Sequence, residues 1–75
     1  MGAGIPVLTA AEVERILLAL GFGCRSGKGA HRFYRHPDGR TTTVPFHAGR
    51  DISPVLLRKI CRDAGQTVET FLKHR

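Results

Sequence analysis

His31 stands in the run Lys28-Gly29-Ala30-His31-Arg32-Phe33-Tyr34-Arg35, directly after a turn that carries Gly27 and Gly29. An imidazole of ordinary acidity takes and returns protons at neutral pH. Lys28, Arg32 and Arg35 supply positive charge for phosphates, and Gly29 lets the backbone approach a ligand closely. Tyr34 or Phe33 offers a ring on which an unpaired base can stack. These residue types suit cleavage of RNA, which needs a base for the 2′-hydroxyl proton and an acid for the departing 5′ oxygen. It also needs positive charge at the pentavalent phosphorane. DNA lacks that hydroxyl, so this route selects RNA, requires no cofactor and predicts no direct DNA binding. The glycine spacing is neither a Walker loop nor a dinucleotide fingerprint, so its weight comes from the neighbouring cations. A strand histidine hydrogen-bonded to a neighbour, with no chemical role, is compatible with the same spacing.

The remaining candidates are weaker. His36 precedes Pro37 and reads as a turn residue, whereas His47 follows Pro45-Phe46 and can lie near strand ends as a second proton-transfer group. His31, His36 and His47 have only Asp38 and Asp51 close in sequence, and no helical His pair, so no metal site is expected. His74, near the C-terminus, reads as solvated. No serine sits in a nucleophile elbow, and the six carboxylates form no glycosidase-like pair.

The chain has 75 residues and a formal charge of +6. This is room for one domain, residues 1–75, burying about 60% of its unfolded surface. The charge is uneven: residues 1–24 carry a net −1, residues 25–50 a net +5 and residues 51–75 a net +2. A basic middle third points to an anionic polymer as partner. No basic amphipathic helix with a wide apolar face accompanies it, and no apolar run approaches a membrane span, so no membrane role is expected. The first residues lack the charged start and long apolar run of a secretory leader. Cys24 and Cys61 form no disulfide framework or zinc spacing; a cytoplasmic protein with both thiols reduced and packed in the core is expected.

The elements that must position these residues are legible from punctuation. Thr9 and Glu12 form a capping box, Leu8 can staple onto Val13, and Val13, Ile16, Leu17 and Leu20 make one apolar stripe. Gly21 ends this helix, which spans about residues 10–20. Residues 1–8 are expected to be a flexible tail. Turns at Gly27-Lys28-Gly29 and Pro37-Asp38-Gly39 separate three strands, near Gly23–Ser26, Ala30–His36 and Arg40–Val44. Pro45 ends the last strand, and residues 46–52 form a loop. Ser53 caps a second helix with Pro54 at its first position, Gly65 stops it, and Thr67 caps a short third helix. The fold class is α+β: a three-stranded antiparallel meander with the two longer helices on one face, the other face left available. Alternation does not decide whether Phe33 or Tyr34 faces solvent.

The chain resembles the HicA family of bacterial toxins, from about Glu12 to Leu72. The likeness lies in Leu20-Gly21-Phe22, Lys28-Gly29-Ala30-His31 with Tyr34, His36-Pro37-Asp38-Gly39-Arg40, and Val44-Pro45-Phe46-His47. Ile60 to Gly65 and Val68-Glu69-Thr70-Phe71-Leu72 extend it. The resemblance implies an α-β-β-β-α fold like the double-stranded-RNA-binding domain. It also implies a ribonuclease that cleaves mRNA, with the histidine of a Lys-Gly-Ser-His motif at position 31, and a HicB-type antitoxin as partner. Ala30 stands where that motif has serine. A non-catalytic RNA-binding module on the same scaffold would bind RNA without shortening it. A pure protein-interaction domain would show no RNA affinity even at low salt.

Overall fold

The computed structural model describes residues 6–25, 29–46 and 51–75. Its core architecture is the expected α+β arrangement: α1 (Ala10–Ala19), then a three-stranded antiparallel sheet, then α2 (Pro54–Asp63) and a short α3 (Val68–Leu72). Numbering every strand along the chain, β1 is Leu8–Thr9, β2 Gly23–Arg25, β3 His31–Arg35, β4 Thr41–Pro45 and β5 Asp51–Ile52.

Local chemistry accounts for the helix ends. The Thr9 hydroxyl accepts from the Glu12 amide at 3.1 Å, while the Glu12 carboxylate accepts from the Thr9 amide at 2.9 Å. Two orphan donors are thereby satisfied at the start of α1. At its end, Gly21 adopts a φ of +99°. That left-handed turn lets the Phe22 amide reach the Leu17 carbonyl and the Gly21 amide reach Leu18, both at 3.0 Å. Ser53 caps α2, with Pro54 as its first residue. A three-residue hairpin, Pro37 to Gly39, joins β3 to β4 and is closed by bonds between His36 and Arg40 and between His36 and Gly39. Gly39 takes the positive φ, +101°, that this loop length demands.

The sheet order is β2-β3-β4. The register places Arg25 opposite Phe33 and Phe33 opposite Thr43, with Gly23, Arg35 and Thr41 forming the next row. Tyr34, Thr42 and Val44 are buried beneath the helices, and α1 and α2 both pack on β4. The alternate residues His31, Phe33, Arg35, Thr41 and Thr43 are exposed. One face of the sheet is therefore covered and the other is open.

Three expectations are corrected. Leu8 is not part of a tail: β1 pairs with β5, Leu8 opposite Ile52, and both side chains are in the core with Val13. An apolar residue just before a helix cap gains more from burial than from freedom. The same pairing turns the end of the expected 46–52 loop into strand. Cys24 lies exposed on the edge strand β2; Cys61 alone is in the core, where burial pushes its thiol up to about 11.

Candidate nucleic-acid interface

The open sheet face carries His31 at one end of β3, Phe33 in the middle and Arg35 at the other end. Arg25 flanks Phe33 from β2, and Thr43 flanks it from β4. The three strands contain no carboxylate. Phe33 is 38% exposed, a large apolar side chain on the solvent side of the sheet. His31 is exposed and sits opposite Pro45. Gly29 holds a φ of +58° in the turn just before it, and a side chain added there would meet nothing within 4 Å. Glycine is therefore favoured at this position by the backbone conformation, and space beside it stays open.

Tyr34 cannot stack on a base. It is 0% exposed, beneath α1, and its hydroxyl donates to Glu14 Oε2 at 2.5 Å. Burial, then that carboxylate, raises the pKa of the phenol well above its ordinary value. Phe33, its neighbour on the other side of the strand, is the exposed ring of the pair. Arg32 also belongs to the helix side, opposite Val44. Its guanidinium donates to the same Glu14 oxygen at 3.1 Å and lies 4.0 Å from the centre of the Phe46 ring. The Glu14 bond is the largest cause of a raised Arg32 pKa, and the ion pair and ring contact engage the guanidinium expected to hold phosphate. Lys28 and His47 lie outside the described residues.

The Tyr34–Glu14–Arg32 cluster ties α1 to β3 next to His31. Tyr34→Phe removes the buried donor, and because Glu14 is partly solvated the expected loss is near the lower end for charged hydrogen bonds, about 1.5 kcal/mol. A urea midpoint that falls at unchanged slope checks this.

At the Arg35 end, the sheet meets the hairpin. His36 packs edge-on against Phe22, ring centres 5.2 Å apart. A side chain at Gly21 would come within 2.9 Å of His36 Nε2, so the glycine also makes room for the ring. His36 Nδ1 lies 3.1 Å from the Asp38 amide and 3.0 Å from Asp38 Oδ1. The Arg40 backbone amide, then its guanidinium, holds the Asp38 carboxyl below the usual range. Arg40 also donates to the Ala64 carbonyl at the end of α2 and faces Phe22. Gly21, Gly23, Arg25, Arg35, His36 and Pro37 line an open cleft of about 380 Å³ here.

Arg35 is among the residues expected at the site, whereas Arg25 and His36, which the structure brings beside it, are not. The signal was the β2–β3 register, which sets Arg25 across from Phe33. Register depends on turn geometry, and a turn around Gly27-Lys28-Gly29 fits several.

The fold and its open, carboxylate-free face define a small basic α+β domain with a histidine presented among cations and an aromatic ring. The model of the HicA toxin family of bacterial toxin–antitoxin systems matches residues 10–66, and the chain belongs to that family. It is thus a toxin of a toxin–antitoxin system. No curated protein matches the chain in direct comparison. Among the described residues, no helix is long and apolar enough to cross a membrane.

Proposed function

We propose that this toxin is an endoribonuclease that cleaves mRNA without a metal ion, with His31 carrying proton transfer. The observation that carries the reading is the placement of His31, exposed, on the same open face as Phe33 and Arg35. In the proposed step the 2′-oxygen attacks phosphorus, the P–O5′ bond breaks, and His31 either removes the 2′ proton or supplies one to the 5′ oxygen, solvent water making the other transfer. Arg35 and the positive field around it bind the RNA phosphates, Lys28 and Gly29 act at the turn before His31, and Phe33 stacks on a base. A HicB-type antitoxin that covers this face would silence the toxin in the cytoplasm, its complementary charge speeding encounter.

Incubation of the purified protein with single-stranded RNA in EDTA tests the reading. The expected result is shortened RNA ending in 2′,3′-cyclic phosphate, undiminished by the chelator. Cleavage that stops on chelation overturns the metal-independent route. Salt-sensitive binding without products would favour the non-catalytic module, a reading that Ala30 in place of the motif serine makes worth the assay.

A further inference from the structure

We infer that the cleft between β2 and the His36–Pro37 turn is a second phosphate subsite, holding a backbone phosphate of the bound RNA away from the bond being cut. The inference rests on the RNA-cleaving reading and adds Arg25 and His36 to the surface that strand follows.

Arg25 and Arg35 project from neighbouring strands on the open face. Arg25 is paired with Phe33, so Arg35 is its diagonal neighbour, with roughly 7–8 Å between such positions. Four cations have carboxylate partners, Arg32 with Glu14, Arg40 with Asp38, Lys59 with Asp63 and Arg75 with Glu12; Arg15, Arg58, Arg62 and Lys73 have none among the described residues but stand apart from this cleft. Among the described residues neither Arg25 nor Arg35 has one, and both line the same cleft. Two like charges side by side on a sheet repel each other. An anion seated between them reverses that cost, and a phosphate takes charge-assisted hydrogen bonds from both guanidinium groups.

The walls suit a backbone more than a side chain. Gly23 contributes no side chain, so the edge of β2 can be approached closely. His36 is fixed by Phe22, Gly21 and Asp38, and it presents a set wall with a polar ring. His31 and Arg35 are four residues apart on one strand, roughly 13 Å. A phosphate in the cleft is therefore not the scissile one at His31. Phe33 lies between the two positions, where a base of the intervening segment can stack.

The test uses 2′-O-methylated single-stranded RNA, which lacks the attacking hydroxyl, titrated with the full-length protein at several salt concentrations. Arg25→Gln is expected to weaken binding about tenfold. It should also flatten the dependence of log affinity on log salt by about 0.7, one single-strand phosphate contact. Gly23→Glu places a carboxylate in the cleft; a Cβ there meets only the Arg35 carbonyl at 3.8 Å, so the strand accepts it. It should match or exceed the loss seen with Arg25→Gln. Arg58→Gln, on exposed α2 surface, should leave the salt slope unchanged. If both cleft variants keep the affinity and slope of the unmodified protein, the subsite is overturned while RNA binding stands. If they keep RNA affinity but lose the antitoxin, the cleft is a protein contact and the inference is again overturned. If the unmodified protein shows no salt-sensitive RNA binding, the failure belongs to the RNA-cleaving reading itself.

Discussion

With His31→Ala, RNA cleavage should fall by about 10²- to 10⁴-fold, the usual contribution of a positioned acid or base. Growth arrest on expression should disappear with it. The side chain is exposed on the open face and outside the hydrophobic core. Its truncation therefore removes no core packing, the commonest source of a large stability loss. Single-turnover cleavage, read beside thermal unfolding, separates chemistry from folding. RNA affinity should change little, because the cations and Phe33 remain. A folded variant that cuts RNA at the original rate and still arrests growth would remove His31 from the reaction.

Phe71→Ala should produce the largest loss of stability, about 3–5 kcal/mol. Phe71 is fully buried on α3, packed in one cluster with Leu17, Tyr34, Leu57 and Ile60. A domain of this length holds about 4–11 kcal/mol in total, so the variant should sit near its unfolding transition at growth temperature. Chemical denaturation of the two proteins side by side checks it. An unchanged midpoint would show that α3 contributes little to the core. The family match ends at residue 66, before this helix, and begins after Leu8. Both ends of the chain nevertheless supply fully buried side chains.

Much of the scaffold was legible because its signals are local. Thr9 with Glu12, Ser53 with Pro54, and glycines at 21 and 65 each define a helix end through bonds spanning a few residues. The hairpin at Pro37-Asp38-Gly39 is equally local. The β1–β5 pair was not legible, since two-residue strands carry no periodicity and their partners lie more than forty positions apart. The site divided along the same line. His31 and Arg35 were singled out by residue type, and their shared side of β3 was readable from alternation. Which side faces solvent depended on Tyr34 finding Glu14, a contact across 20 positions. A tyrosine hydroxyl can be buried only with a partner, and nothing near Tyr34 in sequence names that partner. The partners of Arg32 were hidden for the same reason: its cation looked available until Glu14 and Phe46 were placed beside it.

The bond from Arg40 to the Ala64 carbonyl bolts the tip of the β3–β4 hairpin to the helical layer. The His36–Pro37 wall is thus anchored to the end of α2 as well as to its own hairpin. The phosphate of the proposed subsite would meet a notch already in shape, with little ordering entropy lost in moulding it.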